Sequence, residues 1–255
     1  MSASAVARRP LIAGNWKMHG TIAESRALAR DLLALALPPE IDVVVAPPFT
    51  ALAAVAEELY GSPLELAAQT MHDFVHGPYT GEISAPMLAE IGVRFVIIGH
   101  SERRAFCGES DDAVNRKVRS SLAHGIVPIV AVGETASEHE LGETHAKVTL
   151  QTRAAFLGVS SEDVARCVVA YEPIWAIGTG LVDSPENANE VIAQIRACVD
   201  GLARARILYG GSMKGENAAA LMAMSEIDGG LIGGASLTAP AFAAVIAGAR
   251  SKANA

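Results

Sequence analysis

Hydrophobic positions along the chain follow two alternating patterns. Short apolar runs of strand length recur at 11–16, 41–46, 64–69, 94–99, 126–132, 167–172, 206–209 and 230–233. Val43-Val44-Val45 and Phe95-Val96-Ile97-Ile98 are continuously apolar, as a parallel strand covered on both faces requires. Helical spacing follows each run. Between 186 and 203, Val191, Ile195, Cys198 and Leu202 recur at i, i+4, i+7 and i+11, one stripe of a 3.6-residue period. Between 111 and 123, Val114, Val118 and Leu122 do the same. Ser110 is placed to cap that second helix, with Asp111 and Asp112 favourably near its N-terminus.

The pattern predicts eight strand-then-helix units of about 32 residues each, with no linker or low-complexity break. Such alternation makes either an open doubly wound sheet or a closed barrel. Eight units favour closure, and no dinucleotide fingerprint follows the first strand. The expected fold is therefore α/β, a closed (β/α)8 barrel, with residues 1–255 as one domain. The uncharged stretch 229–249 is long enough on paper to span a bilayer. Its glycines (Gly229, Gly230, Gly233, Gly234 and Gly248) and Pro240 read instead as a buried strand, a glycine loop and a helix. After Arg8-Arg9 only Leu11-Ile12-Ala13 is apolar before Gly14, too short for a signal peptide. A soluble, cytoplasmic protein without a membrane partner is expected.

Composition narrows the function classes. The chain is 51% hydrophobic and 19% charged with mean hydropathy +0.30, which excludes intrinsic disorder. Twenty Lys+Arg against 28 Asp+Glu leave a formal charge of −8. Such a body is a poor general binder of nucleic acid, so an anionic ligand has to be held by a local arrangement. Cys107, Cys167 and Cys198 are too few and too scattered for a disulfide framework or a zinc cluster, pointing to a reducing compartment.

In a barrel the loops after the strands form the active face. There stand Gly14-Asn15-Trp16-Lys17, Gly99-His100-Ser101-Glu102-Arg103 and Tyr171-Glu172-Pro173, with Tyr209-Gly210-Gly211-Ser212 and Gly233-Gly234 after the last two strands. An amine, an imidazole and a carboxylate thus share one rim, and Lys17 is the one obvious cation. The two glycine-rich turns offer unobstructed backbone N–H groups suited to phosphate. Competing motifs fail locally. His72 and His76 have metalloprotease spacing but lie in a loop ending at Gly77-Pro78, whereas that motif needs a helix. His139 and His145, among Glu138, Glu140 and Glu143, read as a solvated helix face. Arg103 occupies the second glycine position of a hydrolase elbow. No metal and no nucleotide cofactor is expected.

Gly14-Asn15-Trp16-Lys17-Met18, Ile98–Arg104, Ala170–Gly180 and Tyr209-Gly210-Gly211-Ser212 resemble the signatures of the triosephosphate isomerase family, over nearly the whole barrel. The resemblance implies isomerisation of a phosphorylated ketose and aldose through an enediolate, as in glycolysis and gluconeogenesis. It implies Glu172 as the proton shuttle and His100 as a neutral imidazole polarising the carbonyl. Lys17 would stabilise the enediolate oxygen and the phosphate with Asn15, Glu102 would contact the lysine, and Ser101 would cap the turn behind His100. Gly178, Ser212, Gly233 and Gly234 would hold the phosphate. Residues 173–180 would form a lid with an apolar tip, Trp175-Ala176-Ile177. The loop from Gln69 to Glu82 would reach a twin subunit, Thr80 foremost, giving a homodimer. Here the chain departs from the family: Thr70 stands where Asn or Asp is usual, Pro78-Tyr79 replace Ala-Phe, and Ala131 replaces Cys. A sibling acting on a tetrulose phosphate, or a silent phosphosugar-binding homologue, are the alternatives.

Overall fold

Strand residues of this protein alternate between two apolar surroundings, so its strands need no polar face. In the computed structural model, which describes residues 8–178 and 183–253, Leu11, Ala13, Val44, Ala46, Phe95, Ile97, Val168, Ala170, Leu208 and Leu231 pack as one inner cluster. Their strand neighbours Ile12, Val43, Val45, Val96, Ile98, Val169 and Ile207 face outward and join Leu32, Val55, Val118, Ile195 and Phe242 from the helices. This double burial is the physical reason for runs such as Val43-Val44-Val45.

The strands are β1 (Leu11–Asn15), β2 (Asp42–Ala46), β3 (Leu64–Ala68), β4 (Phe95–Ile98), β5 (Val127–Val132), β6 (Val168–Tyr171), β7 (Arg206–Tyr209) and β8 (Gly229–Ile232). All pair in parallel in chain order, and β8 returns to β1 with Leu11 opposite Gly229 and Gly14 opposite Ile232. The barrel is closed, and each strand lies within one residue of its sequence-based bounds. The helices are α1 (Ile22–Leu33), α2 (Phe49–Leu59), α3 (Ala85–Glu90), α4 (Ser101–Cys107), α5 (Asp111–Ala123), α6 (Ala136–Glu140), α7 (Thr144–Ala155), α8 (Ser161–Arg166), α9 (Pro185–Ala197), α10 (Gly215–Met222) and α11 (Ala239–Ala253).

Caps account for several boundaries. The Ser110 hydroxyl accepts from Ala113 N at 3.2 Å and starts α5 as expected. Thr21 and Glu24 form a reciprocal capping box on α1. The helix expected over 186–203 is shorter: α9 ends at Ala197, with Cys198 as its cap. Gly201 takes φ +101°, and a side chain there would meet Ser161 O at 2.3 Å. The chain therefore turns at this point, and Leu202 reaches the core from the turn, fully buried. The uncharged stretch 229–249 is β8, a short 3-10 turn over Gly234–Ser236, and most of α11. Among the described residues no helix is long and apolar enough to cross a membrane.

The end of the barrel opposite the glycine-rich loops is held by charge. Asp228, fully buried, accepts from Arg8 Nε at 2.8 Å, Arg196 Nη2 at 2.7 Å and Ile207 N at 2.9 Å. Replacing it by alanine would leave Ile207 N without its partner, remove the carboxylate that binds Arg8, and leave Arg196 with Glu226 as its one remaining carboxylate among the described residues. Asp228→Ala is expected to lower the unfolding free energy by about 3–5 kcal/mol, read from the urea midpoint; an unchanged midpoint would show the network to be dispensable.

Candidate active site

The alternation that fills the barrel also aims the first polar groups at its mouth. Asn15 continues the inward series Leu11, Ala13, and Glu172 continues Val168, Ala170; both are buried. His100 is delivered differently. Gly99 takes φ +74° with its outward side closed by Val114 Cγ2 and Ala131 O, and this left-handed step lets His100 open α4. Glu109 anchors that exit by accepting from Gly99 N at 3.0 Å, Arg103 Nε at 2.7 Å and Lys117 Nζ at 3.2 Å. Burial pushes the Glu109 carboxyl up, but Lys117, Arg103 and the Gly99 N–H outweigh it and hold it below the usual range. Lys117 also donates to Thr70 Oγ1 at 3.3 Å, so the departure at Thr70 keeps a buried polar partner.

Lys17 carries a positive φ, +51°, unique among the described non-glycine residues. A side chain in that region is strained by about 1–3 kcal/mol, and the surroundings over-determine it. Asn15 Oδ1 accepts from Lys17 N at 3.0 Å, and Gln69 Nε2 donates to Lys17 O at 2.8 Å and to Ala46 O at 2.9 Å. The ammonium lies 2.6 Å from Glu102 Oε1. The strain serves position: the Lys17 stem runs beside Gly233, where a Cβ would sit 3.4 Å from Lys17 Cε.

His100 and Glu172 meet directly. Nε2 of His100 lies 3.0 Å from Glu172 Oε1, while Glu172 Oε2 accepts from Ser101 N at 2.8 Å. The other ring nitrogen, Nδ1, accepts from Glu102 N at 3.2 Å. A nitrogen accepting a backbone N–H carries no proton, so these contacts assign a neutral ring whose hydrogen is on Nε2.

One cavity of about 780 Å³ is lined by Asn15, Lys17, His100, Glu172, Gly178, Ser212, Gly233 and Gly234. Its walls also include Gly210, Gly211, Lys214 and Glu216. Every residue expected to touch substrate borders it, and Glu102 stands behind Lys17; Ser101 does not cap α4 as expected, because His100 is the cap and Ser101 N is turned to Glu172. Lys17 is not the one cation here: Lys214 lines the same cavity, hidden from the sequence because it follows the glycine turn at the start of α10.

Glu134, at the end of β5, was also missed, because its rim position carries no motif of its own. Fully buried, its Oε1 accepts from Tyr171 Oη at 3.1 Å and Trp175 Nε1 at 2.7 Å. Burial, and the Glu134 charge beside it, push the Tyr171 hydroxyl far above its ordinary range, so it serves as a donor. His139 does not belong to a purely solvated face: its ring stacks on Trp175 with centroids 4.3 Å apart. The apolar stretch expected to form the lid tip is thus docked through the Trp175 indole. Thr179 and Gly180, the last residues assigned to the lid, lie outside the described residues. His72 and His76 are in a loop, as expected. There His72 Nδ1 accepts from Phe74 N at 3.1 Å, its ring faces Tyr79, and Asp73 pairs with Arg116 at 2.6 Å. Among the described residues no three His, Cys, Asp or Glu side chains are grouped to hold a metal ion.

Comparison with known proteins returns one consistent family. The model of the triosephosphate isomerase family matches residues 10–249. A protein named triosephosphate isomerase from Chloroflexus aurantiacus is 52% identical over 94% of this chain and 98% of its own length. Proteins of the same name from Caldanaerobacter subterraneus and Bordetella pertussis are 50% and 48% identical, each over 94% of this chain and over 99% and 97% of their own lengths.

The steric constraint that bears on Glu172 falls at Gly210, where a Cβ would lie 2.8 Å from Glu172 Cγ and 3.0 Å from Tyr171 O. Because the backbone cannot yield, Glu172 would have to move. Gly210→Ala is expected to reduce kcat about 100-fold with circular dichroism unchanged; normal kcat would show that the position of Glu172 tolerates this shift.

Proposed function

The chain belongs to the triosephosphate isomerase family, and from that premise we infer how its cavity interconverts dihydroxyacetone phosphate and D-glyceraldehyde 3-phosphate. Glu172 takes a proton from the carbon beside the carbonyl and returns it to the neighbouring carbon, passing through an enediolate. The observation that carries this reading is the 3.0 Å contact between His100 Nε2 and Glu172 on a cavity that also holds Lys17 and the glycine loops. One carboxylate suffices because the two carbons are adjacent.

The remaining roles follow from the bonds each group has free. His100, neutral with its hydrogen on Nε2, donates that hydrogen to the carbonyl oxygen and so disperses the developing charge. Lys17 stabilises the enediolate oxygen and the phosphate, and Glu102 pins its ammonium. Asn15 spends its carbonyl on Lys17 N, leaving its amide N–H groups for the substrate. Backbone N–H groups of Gly178, Ser212, Gly233 and Gly234 receive the phosphate without requiring net positive charge. Both oxygens of Glu172 are already bonded, so reaching a substrate carbon means surrendering the Ser101 N–H. Closure of the segment from Pro173 excludes water, which protects an enediolate phosphate from elimination.

The loop from Gln69 to Glu82 supports a homodimer. Phe74 and Tyr79 stack with centroids 5.2 Å apart, yet 52% and 39% of their surface is exposed. Gln69 binds Lys17 O, bringing the base of this loop beside Met18, which is 94% exposed. Apolar side chains held rigidly in water are what a twin subunit would cover. We read the chain as one domain and its compartment as cytoplasmic, supported by three free cysteines, Cys107, Cys167 and Cys198.

Coupled assays with glyceraldehyde 3-phosphate and an erythrulose phosphate, side by side, test the substrate. Glu172→Gln tests the mechanism: turnover is expected to fall by about 10²–10⁴-fold while binding of inorganic phosphate persists. Near-normal turnover in that folded variant would overturn the role of Glu172. Sedimentation of the pure protein is expected to give twice the chain mass, and a dilution-independent monomer would refute the dimer.

A further inference from the structure

Recruiting a doubly charged phosphate is an electrostatic problem for this protein, whose formal charge is −8. Lys17 does little to solve it at a distance. Its ammonium is 2.6 Å from the Glu102 carboxylate, so the pair presents almost no net charge beyond its immediate surroundings. Glu172 and Glu216 add two carboxylates to the cavity wall, and His100 is neutral by its hydrogen bonds. The backbone N–H groups of the glycine loops act only at contact range.

Lys214 differs from Lys17 in each respect. It lines the same cavity but is exposed, and among the described residues no carboxylate pairs with its ammonium. Its backbone is fixed: Lys214 N donates to Asn217 Oδ1 at 2.8 Å, and Asn217 Nδ2 donates to Ser212 O at 2.9 Å. Asn217 thus ties the lysine backbone to the loop bearing Ser212.

We propose that Lys214 is the steering residue of this cavity, the charge that draws the phosphate dianion into its mouth. The inference rests on the isomerase reading and deepens it. An exposed charge acts through solvent over about a Debye length, ~10 Å at 0.1 M salt. Its effect therefore falls on capture of the dianion rather than on the proton transfers, and salt erases it.

The test compares the wild type with Lys214→Gln, Lys214→Glu and Lys214→Arg, at low and high ionic strength. Inorganic phosphate, as a competitive inhibitor, serves as the binding probe. At low salt Lys214→Gln is expected to lower kcat/KM about 5-fold, through KM, and to raise the phosphate inhibition constant by a similar factor. Lys214→Glu, which changes twice the charge, is expected to square that factor, Lys214→Arg to restore it, and high salt to bring all four proteins together. Equal kcat/KM and equal phosphate inhibition across the series at low salt would overturn the proposal, as would a loss carried by kcat and insensitive to salt. A wild type without isomerase activity would instead overturn the underlying reading, while the phosphate constants would still report on Lys214.

Discussion

Closure of the sheet is the constraint from which the rest of this molecule follows. Once β8 pairs with β1, every strand has two neighbours and all carboxyl ends lie on one rim. Residues far apart in the chain then share one small opening: Asn15 and Lys17 after the first strand, His100 after the fourth, Glu172 after the sixth. Closure also makes inside and outside opposite environments for successive residues. The same alternation that packs Leu11, Ala13, Val168 and Ala170 inward turns Asn15 and Glu172 into the cavity at the next step. These cavity groups are extensions of the core's periodicity.

Two local departures from regular backbone complete the arrangement, and each is secured by neighbours. Gly99 breaks the alternation so that His100 caps a helix, whose first backbone N–H, from Ser101, goes to Glu172 and whose second, from Glu102, goes to the His100 ring. Lys17 holds a left-handed conformation that its own side chain disfavours, kept there by Asn15, Gln69 and Glu102. Lys17 is bonded by Gln69 and Glu102 from other βα units, whereas Gly99 is held within its own unit by Glu109 and Arg104.

The fold was legible because both of its signals are strong and repeated: apolar runs of strand length, and a 3.6-residue stripe after them. The helix over 186–203 was read too long because the stripe does not register where the chain turns. Leu202 satisfies the period from a turn as well as from a helix, and Gly201 decides between them through a clash with Ser161 O that no spacing reveals. At the rim, residues in dense motifs were legible, while Glu134, His139 and Lys214 were not. Glu134 functions as a buried acceptor, which depends on what folds over it. His139 sits among glutamates that suggest water, yet its flat ring meets Trp175 from another segment. Lys214 is one lysine among the chain's Lys and Arg until the cavity shows it facing inward. Periodicity and motif report on chain neighbours, and these three residues owe their roles to groups that the fold brings in from elsewhere.

The single carboxylate oxygen of Glu134 receives hydrogens from two directions, the hydroxyl of Tyr171 and the indole of Trp175. Tyr171 is covalently next to Glu172, and Trp175 belongs to the segment proposed to close over it. Base and cover are thereby referenced to one buried point at the end of β5. A thermal displacement of that point carries both with it, so their separation varies less than either position. Alignment at this opening is preserved as a relative quantity, in the way that two instruments mounted on one post stay aligned when the post sways.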